Sequence, residues 1–337
     1  MLKELSELPG VSGDEHLVSD YIKNAISGHV SEITEDDYGN LIVRKGDPAR
    51  PRIMLAAHMD EVGFMITGIE KSGLLKFKTI GLSPQVVPGK RVIIGRNKVP
   101  GVIGNKPIHH SKKDDLEKIQ EIKTLSIDIG ANSKETAQKI VEIGELGTFD
   151  TEFREQGDII YGKAFDNRLG CYMLMQMILQ TDLPLYYAFT VQEEAGLRGA
   201  RIAAYRVSPD LGIAVDTTSS GEWPSEKDVP LYPVLGKGPA VTITDSSLIC
   251  DRNLVRLIEK TAADHNLPYQ IKRPMIGGTD AGPIHLTKEG VPSAVVAVPA
   301  RYIHSPMSIA SKKDVDTGIK LLSLSVENML KEYAVKS

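Results

Sequence analysis

Side chains able to bind metal recur in this 337-residue chain just beyond the ends of apolar runs. Ile53 to Ala57 runs into His58-Met59-Asp60-Glu61, Leu185 to Val191 into Gln192-Glu193-Glu194, and Leu211 to Val215 into Asp216-Thr217-Thr218. Ala294 to Val298 leads through Pro299 to Ile303 to His304. An unbroken apolar run reads as a strand buried on both faces, and open α/β sheets place their sites outside the carboxyl ends of strands. The four groups are therefore expected to meet in one crevice.

A fifth group, Ala164-Phe165-Asp166-Asn167-Arg168, stands directly before a predicted helix over Leu169 to Gln180. Free N–H groups and the helix dipole hold a carboxylate well at such a place, which suits Asp166 to bridge two cations. Two histidines and several carboxylates, with no cysteine ligand, suit zinc, cobalt or manganese. Two such ions ~3.5 to 4 Å apart polarise a scissile carbonyl and lower the pKa of a shared water. That chemistry needs a proton carrier. Adjacent residues point in different directions, so Glu194 is assigned to metal and Glu193 to general acid/base catalysis. In His58-x-Asp60 both side chains fall on one side of an extended segment, so Asp60 is expected to accept a hydrogen bond from the imidazole nitrogen that does not touch metal.

Blander readings exist for each residue singly. Asp216 beside Thr217 and Thr218 could cap a turn, and His304 before Ser305-Pro306 could be a turn residue; their shared placement after buried strands favours ligands. Gly277-Gly278-Thr279-Asp280-Ala281-Gly282 lacks the lysine of a P-loop and is read as active-site support. His109-His110, in a charged stretch with Asp114 and Asp115, is assigned to a surface loop. Cys171 and Cys250 are read as buried structural thiols, and His16, His29, His265 and His285 as structural.

The elements that position these residues divide into two textures. Leu17, Val18, Tyr21, Ile22 and Ala25 mark a surface helix, and Leu41 to Val43 and Ile53 to Ala57 are predicted strands. From Val62 to about Phe153, short alternating segments broken by Gly and Pro predict a small β-barrel or sandwich: Phe64 to Ile69, Leu74 to Ile80, Val86-Val87, Arg91 to Ile94 and Val99 to Ile103. Lys134 to Ile143 is predicted helical. Beyond about Gly157, helices alternate with apolar strands, and a further helix is predicted over Asn253 to His265. The expected architecture is an α/β domain, residues 1–64 and 154–337, with a mixed sheet flanked by helices and a β-rich insert over 65–153.

Composition limits the partners. The length exceeds the roughly 250 to 300 residues that one core serves. A formal charge of −4 gives no basic field for nucleic acid or an anionic membrane, so neither is expected as a partner. No apolar stretch reaches the ~18 residues that span a bilayer, and no export signal is visible. Two cysteines are too few for a disulfide framework, so a cytoplasmic location is expected.

At these residues the sequence resembles the tetrahedral aminopeptidases, a family of glutamyl and deblocking aminopeptidases with members labelled cellulase M or endoglucanase. The resemblance rests on Ala57-His58-Met59-Asp60-Glu61-Val62-Gly63, Phe165-Asp166-Asn167-Arg168, Gln192-Glu193-Glu194-Ala195-Gly196, Asp216-Thr217, Gly278-Thr279-Asp280-Ala281 and Arg301-Tyr302-Ile303-His304-Ser305-Pro306. It implies a zinc-peptidase-like catalytic domain and removal of N-terminal residues from peptide substrates. It further implies that Asp166 bridges two metal ions, zinc or cobalt first, that His58 and Asp216 complete one site, that Glu194 and His304 complete the other, and that Glu193 is the general base. A dimerisation role for the insert, with dimers assembling into a tetrahedral dodecamer, is also implied by the resemblance alone. The charged Lys106 to Lys123 stretch departs from the family pattern.

Three alternatives remain at this level. A glycoside hydrolase uses paired carboxylates, but would leave His58 and His304 without a purpose and has one Trp here for stacking sugars. A dipeptidase, carboxypeptidase or N-deacylase uses the same metals and base. A peptide-binding assembly without catalysis has no need of Glu193 beside Glu194.

Overall fold

The computed structural model describes residues 1–47, 51–105, 119–222, 232–273 and 276–334. Helices α1 (Leu2–Glu7) and α2 (His16–Ile26) lead into strands β1 (Glu32–Glu35), β2 (Leu41–Arg44) and β3 (Ile53–His58). There the chain leaves the sheet to build six strands, β4 (Gly63–Ile69), β5 (Leu75–Ile80), β6 (Arg91–Ile94), β7 (Val99–Gly104), β8 (Ser126–Asp128) and β9 (Leu146–Phe149), with α3 (Lys134–Gln138) between the last two. They close into a barrel in the order β4-β5-β8-β7-β6-β9. Alternation fills its interior with Phe64, Ile66, Leu75, Phe77, Val92 and Ile94, among others.

The chain then returns through β10 (Arg154–Gln156), β11 (Ile159–Gly162), α4 (Phe165–Gln180), β12 (Tyr186–Thr190), α5 (Arg198–Val207) and β13 (Leu211–Ser219). It finishes with β14 (Ala240–Thr242), α6 (Arg252–Asp264), β15 (Gln270–Lys272), α7 (Ala281–His285), β16 (Ser293–Arg301), β17 (Ser308–Ser311) and α8 (Lys312–Tyr333). The main path of this mixed sheet is β1-β2-β12-β3-β13-β16-β17-β11-β10, and its centre, β12-β3-β13-β16, is parallel.

The central strands have apolar side chains on both faces. Ile53, Leu55 and Ala57 share the larger core with α4, α6 and α8, whereas Met54 and Ala56 face Ala200, Ala203 and Ala204 of α5 and Ile284 of α7. Parallel pairing brings the carboxyl ends of all four strands to one edge, where the predicted ligands lie. Among the described residues, no helix is long and apolar enough to cross a membrane.

Several boundaries differ from expectation. β13 continues through Asp216 to Ser219 because β16 keeps pairing with it, Asp216 opposite Ala297 and Ser219 opposite Ala300, after the pairing with β3 has ended at Ala214. Asp216 therefore lies within a strand rather than beyond one. Val86 lies in a turn and Val87 in no strand, and the helix expected over Lys134 to Ile143 stops at Gln138. His109, His110, Asp114 and Asp115 lie outside the described residues.

A buried charge cluster joins barrel and sheet. Glu61 accepts from Lys163 Nζ at 2.6 Å, from the Thr148 hydroxyl of β9 at 2.7 Å and from Gly10 N–H at 3.2 Å. Arg168, fully buried, reaches Glu61 at 3.7 Å and donates to the carbonyls of Met59 and Leu8. Burial lowers the Lys163 pKa to about 8, against the pull of Glu61. Removing one member leaves an uncompensated charge, which typically costs about 3 to 5 kcal/mol. Lys163→Met should lose about that much in urea unfolding, and the double variant Glu61→Gln/Lys163→Met less than the sum of the two singles. Additive losses would show that the pair is not coupled.

Candidate metal centre

Local structure presents each candidate to the crevice. At the end of β3, the Nδ1 atom of His58 lies 3.2 Å from the Asp60 carbonyl and 3.3 Å from its carboxylate. With only oxygens before it, Nδ1 keeps its proton, so Nε2, which donates to Asp166 in the ion-free chain, is the nitrogen that would bind a metal ion on losing its own proton. His304 is oriented the same way from the other domain: its Nδ1 lies 3.1 Å from the carbonyl of Gly81, just after β5 of the barrel. Gly81 has φ +67°, and a Cβ there would lie 2.5 Å from Val62 and 3.2 Å from Glu194, so only glycine suits this contact.

The two Nε2 atoms face the same carboxylate. Asp166 Oδ1 lies 3.2 Å from His58 and Oδ2 lies 3.4 Å from His304. The backbone at Asp166 and Asn167 is not helical, and Asn167 rather than Asp166 caps the regular part of α4, accepting from Gly170 N–H at 3.1 Å. Asn167 also donates to the Val215 carbonyl, and Thr217 to the Phe165 carbonyl, fixing the turn against β13. The Asp166 carboxylate is thereby free of capping.

Two triplets of donor atoms result, each within 4.8 Å of one another: His58 with Glu193 and Asp216, and Asp166 with Glu194 and His304. Asp60 meets His58 Nδ1 chiefly through its carbonyl, and its carboxylate turns mainly to other partners. It is fully buried, accepts the Ser12 hydroxyl at 2.6 Å, and accepts the N–H groups of Glu193 at 2.9 Å and Glu194 at 3.0 Å. The neighbouring Gln192 N–H donates to Glu15 at 3.0 Å. Three consecutive amides are thus held by two buried carboxylates, while Gln192 adopts a left-handed φ of 56°.

Acidic charge exceeds its compensation here. Burial, with Asp166 close by, pushes Glu194 up to about 8 and Asp216 up to about 7. Burial also raises Glu193 well above the carboxylate range, opposed by His58 and reinforced by Asp216 and Asp280. Burial works against ionisation of Asp166 too, yet hydrogen bonds from His304 and His58 hold it well below its ordinary value. Glu194 Oε1 is buried and lacks a hydrogen bond, its approach to His304 at 3.3 Å being a charge contact only. Nitrogen and oxygen donors that converge, repel one another and leave a buried oxygen unsatisfied fit divalent cations.

The sequence alone does not single out Ser12 and Glu15, because their partners are distant in the chain. Gly277 to Thr279 line the cavity beside the centre, and Asp280 is buried behind it, accepting the Thr190 hydroxyl. Cys171 and Cys250 are buried, their thiols pushed up to about 12 by burial. Both imidazoles belong to the site, which a glycosidase would not require.

Fold and site define a hydrolase with two neighbouring metal positions. Residues 39–321 match the M42 glutamyl aminopeptidase family. A protein of Acetivibrio thermocellus named as an aminopeptidase is 41% identical over 327 residues, 96% of each chain. Among solved structures, a TET aminopeptidase from a marine sediment Thaumarchaeota archaeon superposes with a TM-score of 0.94 at 34% identity, covering 98% of this chain and 97% of that one. The Pyrococcus horikoshii TET1 peptidase, described as assembling into a tetrahedron or a large octahedral shell, gives 0.85 at 32% identity, covering 96% and 97%. The chain belongs to the M42 glutamyl aminopeptidase family, and family and site together make it a metal-dependent aminopeptidase.

Glu15 yields a test that is independent of activity. Burial raises its pKa from an ordinary 4.5 to about 7, partly offset by the N–H groups of Gly13 and Gln192. Between these values the folded chain keeps a proton that the unfolded chain releases, so stability present below pH 4.5 is lost as pH rises through 7. The loss is about 3 kcal/mol. In chelated protein, Glu15→Gln should therefore gain about 3 kcal/mol on wild type between pH ~4.5 and ~7.5, read by urea unfolding at both ends. A constant difference would exclude the shift.

Proposed function

We propose that this chain hydrolyses the N-terminal peptide bond of peptides, with two divalent ions held among His58, Asp166, Glu194, Asp216 and His304, and with Glu193, which stands beside His58 and Asp216, left unligated as general base. The observation that carries this reading is Asp166, whose two oxygens face His58 and His304 separately. His58 and Asp216 would hold one ion, Glu194 and His304 the other, and Asp166 both. The ions, zinc or cobalt first by donor chemistry and manganese as a third choice, supply Lewis acidity and lower the pKa of water.

Glu193 then does the proton work. It stands 3.9 Å from His58 Nε2 and lines the cavity, where its carboxylate accepts a proton from the attacking water and returns it to the departing amine nitrogen. Asp60 contributes by holding the backbone of Glu193 and Glu194 and the tautomer of His58. The acidic lining also attracts the free α-ammonium of a peptide, which supports attack from the N-terminal end over the carboxypeptidase and deacylase readings.

The insert over 65–153 is read as the self-association module of the catalytic domain formed by 1–64 and 154–337. Support for a dimer built into a tetrahedral dodecamer comes from the assemblies named for the P. horikoshii relative. Two free, buried thiols suit a reducing compartment, and a cytoplasmic location is part of the proposal.

Chelated protein re-supplied with zinc, cobalt or manganese should cleave aminoacyl-p-nitroanilides and leave N-blocked versions intact; activity without metal, or on blocked substrates alone, would contradict the reading. Glu193→Gln should keep its metal content while kcat falls roughly 10² to 10⁴-fold. Full activity in that variant would remove Glu193 from the role of base.

A further inference from the structure

Tyr232 and Pro233 line the same cavity of about 640 Å³ as Asp166, Glu193 and His304, yet they belong to no metal-binding group. They lie in neither a strand nor a helix, so no regular backbone ladder fixes this part of the wall. Glu222 and its neighbours do so instead. Gly221 N–H donates to the Pro233 carbonyl at 3.0 Å, and Leu235 N–H to Glu222 Oε2 at 2.9 Å. The same carboxylate accepts the Ser220 hydroxyl at 3.0 Å and is met by Arg301 at two points, Nη2 at 2.7 Å and Nε at 3.3 Å. Gly221 is pressed against the stem of Tyr232: an added Cβ would lie 2.3 Å from the Tyr232 Cβ, so only glycine permits the approach.

Arg301 is the last residue of β16, the strand that leads to Ile303 and His304 on the cavity lining. One two-point ion pair therefore ties the Tyr232-Pro233 wall to the segment that carries a metal-site imidazole. Burial works against ionisation of Glu222, yet Arg301, the Leu235 amide and the Ser220 hydroxyl hold its pKa below the ordinary value. Arg301 and Glu222 are 32% and 29% exposed, and ion pairs so open to water ordinarily contribute little to stability. A carboxylate that gathers these donors in so open a place serves geometry more than stability. We propose that Tyr232 is a substrate-contacting residue whose ring packs on the bound peptide, and that Glu222 and Arg301 are positioning residues that hold this ring at its working distance from the metal centre. This inference rests on the aminopeptidase reading.

The experiment measures kcat, KM and metal content of metal-loaded wild type, Tyr232→Ala, Glu222→Ala, Arg301→Met and the double variant Glu222→Ala/Tyr232→Ala. The substrate is the tripeptide X-Ala-Ala whose first residue wild type releases fastest. Each single variant should raise KM roughly five- to tenfold, the size of one aromatic contact, with kcat and metal content unchanged. The double variant should be no worse than Tyr232→Ala, because the ion pair then has no ring to position. Gly221→Ala, which displaces Tyr232 and leaves the Glu222 and Arg301 side chains in place, should reproduce the rise. Partial misfolding lowers kcat at constant KM and so cannot imitate these results. An unchanged KM in Tyr232→Ala overturns the proposal whether or not the other variants fold. A Glu222→Ala effect that persists in full on top of Tyr232→Ala overturns the route through the ring, and loss of metal from Arg301→Met would assign the pair to His304 instead. Active wild type with a KM insensitive to these changes strikes this inference alone, whereas no release of a first residue from any tripeptide strikes the aminopeptidase reading beneath it.

Discussion

Repulsion among acidic groups withdrawn from water is the constraint on which the rest of the molecule depends. Asp60, Asp166, Glu193, Glu194, Asp216 and Asp280 meet in one crevice with two imidazoles between them. Burial and mutual repulsion raise Glu194, Asp216 and Asp280 to about 8, 7 and 6. Such a cluster is unfavourable unless cations enter it, and positive charge at the two triplets converts repulsion into attraction. Asp60 shows the alternative: despite burial, its hydrogen bonds from His58, Ser12 and the Glu193 amide hold its pKa below the ordinary value.

Keeping those carboxylates together requires rigid support, and both parts of the chain provide it. The parallel strands β3, β12, β13 and β16 deliver the candidate ligands to a common edge, and their apolar side chains on both faces prevent that edge from relaxing. Glu15 and Asp60 hold three successive amides ahead of and within the Glu193-Glu194 pair. The barrel contributes to the chemistry as well: its Gly81 carbonyl sets the His304 imidazole, and its Thr148 hydroxyl completes the charge cluster at Glu61, next to Asp60. Insert and catalytic domain are therefore joined at the metal centre.

Much of this was legible because strand ends are local signals. Apolar runs followed at once by His58, Glu193-Glu194 and Asp216 mark both the strands and the candidate site residues, and the sheet brings those residues together. The β-rich insert was legible as short alternating segments that fit a barrel or a sandwich, and closure into a barrel is set by the pairing of β4 with β9. What escaped depends on tertiary pairing. Nothing local says that β13 continues past Asp216, since its continuation is set by β16. Asp14-Glu15 has the composition of a helix start, yet the Glu15 side chain turns to Gln192, far along the chain.

Anomalous X-ray diffraction from crystals of the zinc- or cobalt-loaded protein tests the dinuclear centre most directly. Two peaks per chain are expected, about 3.5 to 4 Å apart, with Asp166 between them and His58 and His304 on opposite sides. A single peak, or peaks away from Asp166, would contradict a two-metal site here.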